Sequence, residues 1–228
     1  TLAGSVVDAL MSDMGRRLYF PNGIISQGGE AAKDAHFANG TIGMAVAQGT
    51  PIELDSYKKN MPSLTPRETV AYAKTAGNPD LRALWKEKMI EKNPSLKNKQ
   101  FSLPILVPGL TAVLSYVSDL FVDVDKPLLA ADPCWDNYEL IVAARRGAEF
   151  HQFKCFENGK FNIADLEAKM KADAEKYGSV RVILNFPQNP SGYSPTVSEA
   201  KEIVRIVREI AESGKKVLVL SEIGRAHV

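Results

Sequence analysis

The chain has 228 residues, 45% of them hydrophobic and 24% charged, with a formal net charge of +1 at pH 7. That composition excludes a disordered polymer, and basic clusters no larger than Arg16-Arg17, Arg145-Arg146 and Lys215-Lys216 argue against nucleic acid as a partner. No apolar run approaches the roughly 18 residues that span a bilayer, no secretory leader is visible, and Cys134 and Cys155 show neither metal-ligand nor redox spacing. The expectation is a cytoplasmic protein with no membrane partner and no metal site.

Along the chain, residues 1–60 read as irregular, apart from a short helix over 7–18 and a Gly-rich turn at Asn39-Gly-Thr-Ile-Gly43. The start at Thr1 without Met implies an incomplete or processed N-terminus. Regular structure begins at about Thr65. Asn78-Pro-Asp-Leu81 opens a helix that runs to about Lys92, with Leu81, Leu84, Trp85 and Met89 on one face. Residues 101–107 read as a strand despite Pro104, and 109–122 as a helix. A strand over 127–131, a helix over 135–146 and a strand over 149–153 follow. Glu157-Asn-Gly-Lys160 is a hairpin-type turn. An amphipathic helix over 163–177 leads to an apolar strand over 180–186, a helix over about 196–213 and a strand over 216–220. Strands alternating with helices predict an α/β protein with a doubly wound, mostly parallel sheet.

In such a sheet, ligands gather at the carboxyl edge of the strands. Three loops in that position carry candidate chemistry. Pro108-Gly109-Leu110-Thr111-Ala112 precedes a helix, where backbone amides and the Thr111 hydroxyl suit an anion. Asp132-Pro-Cys-Trp135-Asp-Asn-Tyr138 offers a flat aromatic side chain. Asn185-Phe-Pro-Gln-Asn-Pro-Ser-Gly192 sets two prolines and two polar amides straight after a buried strand. No Gly-x-Gly-x-x-Gly follows any strand, so a nucleotide-binding dehydrogenase is disfavoured.

Asn189-Pro190-Ser191-Gly192 resembles the Asn-Pro-(Thr/Ser)-Gly loop of the class I/II aminotransferases, the fold-type I enzymes that use pyridoxal phosphate. The resemblance extends from about Asn39 to Ser221. It implies a partial large domain over 61–221 that binds the cofactor, preceded by an N-terminal arm and part of a small domain over 1–60. By that likeness Asn189 bonds the cofactor's phenolic oxygen, Trp135 stacks on its ring, and Gly109, Leu110 and Thr111 hold its phosphate. Tyr72, in Tyr-Ala-Lys-Thr-Ala-Gly77, corresponds to the tyrosine that reaches the phosphate of a neighbouring subunit, which implies a homodimer. Gly43, with Trp135 and Asn189, would lie beside the substrate. The likeness also implies cis peptide bonds at Asp132–Pro133 and Asn189–Pro190.

The implied activity is transfer of an amino group between an amino acid and a 2-oxo acid. The alternatives are another fold-type I reaction, such as that of a C–S lyase or decarboxylase, and the aminotransferase-like effector domain of a transcription regulator. The family's Schiff-base lysine falls beyond the chain end, so the segment alone is expected to be inactive. Glu222 stands where the family has Asp. The ending Ile223-Gly-Arg-Ala-His-Val228 fits nothing in the family and back-translates to a common short-read sequencing adapter, so 222–228 reads as a non-native tail.

Overall fold

A computed structural model of the chain describes residues 10, 12–18, 24–37, 39–41, 46–48, 50–60, 63–65 and 72–223. It divides into two compact units, residues 1–21 with 113–228 and residues 22–112.

The larger unit is built on a four-stranded sheet of β3 (Leu128–Asp132), β4 (Phe150–Lys154), β7 (Ser179–Asn185) and β8 (Lys216–Glu222), in the order β4-β3-β7-β8. Every pair in it is parallel. Successive side chains of a strand point to opposite faces, so an apolar strand feeds two cores at once. Leu129, Val180, Val182 and Leu184 pack with Leu166, Met170, Ile203 and Ile206 from the helices Ile163–Tyr177 and Val197–Glu212. Leu128, Ala130 and Ile183 pack on the other face with Leu114, Tyr138, Ile141 and Val142. The sheet is doubly wound, as the alternation of elements implied.

Local chemistry explains the element ends. Asn162 and Thr196 cap the two helices of the first face, each accepting a bond from a backbone N–H three residues on, at 3.1 and 3.2 Å. Asn158 and Gly159, at φ +50° and +72°, turn the chain between β5 (Phe156–Glu157) and β6 (Lys160–Phe161), as the Asn-Gly pair implied. The helix expected from residue 135 begins at Asn137 instead, and it widens into a π-helix over Leu140–Ala144. Trp135 is thereby left on the loop. The strands expected at 180–186 and 216–220 are Ser179–Asn185 and Lys216–Glu222.

In the smaller unit, Asn78 caps the helix Pro79–Lys92 through bonds from the N–H groups of Asp80 (2.9 Å) and Leu81 (3.1 Å). Its apolar stripe is not buried: Leu81, Leu84 and Trp85 are 45%, 51% and 57% exposed. Residues 101–107 do not form the expected strand. Their carbonyls are taken by side chains instead of a ladder, Phe101 by Lys86 Nζ at 2.7 Å and Pro104 by Arg82, while Leu106 N–H donates to Ala76 at 3.1 Å. That contact needs a glycine beside it, because a Cβ on Gly77 would come within 2.5 Å of Leu106 Cβ. Residues 1–60 are more regular than expected, with helices Asp13–Arg17, Ile24–Asp34 and Asp55–Asn60 and a short antiparallel pair of β1 (Val46–Ala47) and β2 (Thr50–Pro51). Of the rest of the helix expected over 7–18, Leu10, Ser12 and Leu18 are described, and Ser12 and Leu18 cap the observed helix. Among the described residues no helix is long and apolar enough to cross a membrane.

Candidate active site

The carboxyl ends of β3, β4 and β7 border a shallow hollow open to solvent. Phe153, Phe161, Ile183 and Phe186 form its apolar lining, and Tyr138, Asn185, Gln188 and Asn189 bring polar groups to it. The loops around it leave their strands through cis peptide bonds at Asp132–Pro133 and Asn189–Pro190, as the resemblance implied, and at Phe186–Pro187, which it did not.

Two buried amides shape the loop after β7. Asn185 Oδ1 accepts from Asn189 N–H at 2.6 Å, and Asn185 Nδ2 donates to the Glu222 carbonyl at 3.3 Å, tying the loop to the end of β8. Gln188 Oε1 accepts from the N–H (2.8 Å) and hydroxyl of Ser191. The backbone of Asn189 is held by these neighbours, while its exposed side-chain amide makes no hydrogen bond to the described residues. That side chain is an unspent donor and acceptor on an anchored backbone.

Next to it, the buried Glu222 carboxylate accepts a hydrogen bond from the Tyr138 hydroxyl. Burial first, and that bond second, push the Tyr138 phenol well above its ordinary value, so it stays a donor. Half-buried Trp135 meets Tyr138 edge to face, ring centroids 5.6 Å apart. The Cys134 thiol is pushed up to about 11, mainly by burial and further by the Asp132 carboxylate. It is therefore protonated at neutral pH and is not a ready nucleophile. Among the described residues no cluster suits a metal.

These groups match the chemistry of a pyridoxal phosphate ring, which needs a flat face, a donor at its phenolic oxygen and a carboxylate for its ring nitrogen. Trp135, Asn189 and Glu222 are of those three types. Lys215 and Lys216 precede or begin β8, roughly 20 Å from its carboxyl end at ~3.3 Å per residue.

The remaining sequence-derived candidates lie in the smaller unit. The helix Leu110–Phe121 starts where expected, but Gly109 N–H is taken by the Val107 carbonyl at 2.9 Å. The amides of Leu110 and Thr111 and the Thr111 hydroxyl remain at the exposed helix start. Tyr72 is fully exposed. Gly43 lies outside the described residues; nearby, Asn39 Oδ1 accepts from Thr41 N–H at 3.0 Å. Sequence reasoning assigned no role to Tyr138, Asn185 or Gln188. The available signals were an amide closing an otherwise apolar strand, Asn185, and another set between Pro187 and Asn189.

Comparison with known proteins agrees with this architecture. The model of the family aminotransferase class I and II matches residues 44–212. No curated protein matches the chain. Among solved structures, an aminotransferase from Anaerococcus prevotii is similar with a TM-score of 0.79 at 23% identity, over 92% of this chain and 54% of that one. The cytoplasmic aspartate aminotransferase of Saccharomyces cerevisiae is similar with a TM-score of 0.69 at 19% identity, over 90% and 50%. The broad specificity aminotransferase of Leishmania mexicana gives 0.69 at 18% identity, over 93% and 54%. At these identities the likeness is one of fold, and the chain spans about half the length of each of these proteins.

Proposed function

We propose, because the chain belongs to the aminotransferase class I and II family, that it forms the cofactor-embracing segment of an enzyme that moves an amino group from an amino acid to a 2-oxo acid. The family works with pyridoxal phosphate, which when bound supplies an electron sink for chemistry at the amino acid's Cα. Trp135 covers the ring and Asn189 donates to the phenolic oxygen; the acidic side chain at the end of β8, an Asp in the family and Glu222 in the stretch read as non-native here, marks the place of the ring-nitrogen partner beside the Tyr138 hydroxyl. Leu110 and Thr111, with Gly109 shaping the turn, hold the phosphate. Gly43, Trp135 and Asn189 border the substrate carboxylate.

One observation carries this reading: buried neighbours hold the Asn189 backbone while its side-chain amide stays exposed and without a hydrogen bond to the described residues, at the sheet's carboxyl edge, where such a group serves a ligand better than it serves the fold. The full exposure of Tyr72 and the bare stripe of Leu81, Leu84 and Trp85 support a homodimer in which Tyr72 reaches the neighbouring phosphate. A cytoplasmic location is proposed from the two free, widely spaced thiols. By itself the segment is inactive in this reading, since neither Lys215 nor Lys216 stands where the family's Schiff-base lysine acts.

Titrating the chain with pyridoxal phosphate while following tryptophan emission tests the reading. The expected result is saturable quenching that weakens about tenfold in Asn189→Ala, the loss of one good hydrogen bond. Borohydride reduction should leave no stoichiometric adduct on Lys215 or Lys216. Absence of binding, or a specific adduct on either lysine together with amino-group transfer, would overturn it.

A further inference from the structure

Gln188 is 3% exposed, and its carboxamide is used at both ends. Nε2 donates to the carbonyl of Pro133 and to that of Asn189, at 2.9 Å for the latter. Oε1 accepts from the N–H and hydroxyl of Ser191. Its backbone is also committed: Gln188 N–H donates to Tyr193 at 2.7 Å, and its carbonyl accepts from Gly192 N–H at 2.6 Å. Only one of these bonds leaves the loop. The bond to Pro133 crosses 55 positions of sequence and lands two residues before Trp135.

β3 and β7 lie side by side in the sheet, in register at Leu129 with Val182, and both strands end before the two loops begin. Past Asp132 and Asn185 no ladder joins the chains. Among the described residues the Gln188–Pro133 bond is the one hydrogen bond between the loop that carries Trp135 and the loop that carries Asn189. A buried amide that merely filled space would be satisfied inside its own loop.

We propose that Gln188 is a positioning residue: it bolts the Trp135 loop to the Asn189 loop, so that an aromatic face and a carboxamide meet one cofactor ring in a fixed relation. The inference rests on the pyridoxal phosphate reading for the ring, but not for the coupling of the loops.

The test is made on the whole 228-residue chain in a Trp85→Phe background, which leaves Trp135 as its only tryptophan. Gln188→Glu keeps the size and the oxygen facing Ser191 but sets a carboxylate oxygen against the Pro133 carbonyl. Gln188→Met keeps the length and removes both polar ends, and it serves if the charged variant does not fold. Acrylamide quenching of Trp135 should rise at least about twofold in either variant, as expected for a loop released from its anchor. Affinity for pyridoxal phosphate should fall about tenfold, the scale of one buried hydrogen bond.

Acidification separates positioning from bulk stability. Protonating the introduced carboxyl returns an O–H donor to the Pro133 carbonyl, so quenching in Gln188→Glu should fall back toward the parent at low pH, while Gln188→Met stays open throughout. Variants that unfold more easily, yet keep parental Trp135 quenching and parental affinity, would overturn the inference. If the parent chain binds no pyridoxal phosphate but Gln188→Glu still frees Trp135, the coupling stands and the cofactor reading fails.

Discussion

Arg205 shows how a single side chain can join two elements behind the site. Its guanidinium donates to Glu167, Glu202 and Glu209, each at 2.8 Å, and so links the helix Val197–Glu212 to the helix Ile163–Tyr177. The bond from Arg205, followed by that from Lys171, pulls the Glu167 carboxyl down to about 2 from an ordinary 4.5. A carboxyl depressed in the folded state stabilises above its unfolded value and loses that contribution as pH falls through the folded one. Stability should therefore decline as pH drops from about 4.5 to about 2, and Glu167→Gln should flatten that decline in urea midpoints measured against pH. The residues of the candidate site were legible to different degrees. The loops that carry Asn189 and Trp135, with cis bonds at Asn189–Pro190 and Asp132–Pro133, could be read because of their distinctive wording after apolar strands. Gln188 and Tyr138 could not, because their roles depend on partners 55 and 84 positions away.

The helix Val197–Glu212 starts on a full capping box. Thr196 Oγ1 accepts from Glu199 N–H at 3.2 Å, and Glu199 Oε2 accepts from Thr196 N–H at 2.7 Å. Glu199 also accepts from the Tyr193 hydroxyl at 2.7 Å, so the helix start is fastened to the end of the Asn189 loop. Thr196→Ala should cost about 1 kcal/mol of stability, read as a lowered thermal midpoint. Elements whose signals are local, such as this helix and the Asn158-Gly159 turn, could be read from sequence with little error. The helix Ile24–Asp34 was missed because Gly28 and Gly29 weaken its intrinsic propensity. The strand expected at 101–107 failed for a tertiary reason. Arg82 and Lys86, on the preceding helix, claim the carbonyls a ladder would have used.

Across the larger unit, the order β4-β3-β7-β8 grades burial from the middle of the sheet outward. β7 has five buried residues in the sequence Ser-Val-Arg-Val-Ile-Leu-Asn, whereas β8 buries only Glu222. The doubly wound class was readable because an alternating pattern of strands and helices admits few topologies. The order β4-β3-β7-β8 was not, since which strands become neighbours depends on packing between elements far apart in sequence. Among the described residues β8 is joined on one side only, and its backbone parity is set by the bond from Lys216 N–H to the Gly178 carbonyl at 3.2 Å and by that from Phe186 N–H to the Glu222 carbonyl at 3.1 Å. Even-numbered residues of the strand thus turn their amides toward β7, and Val217, Val219 and Ser221 turn theirs outward. In deuterated water this strand should exchange its amide hydrogens as a comb, slow at Leu218, Leu220 and Glu222 and fast at Val217, Val219 and Ser221. Filling of the fast teeth on addition of another polypeptide would report, residue by residue, a new strand laid along that edge.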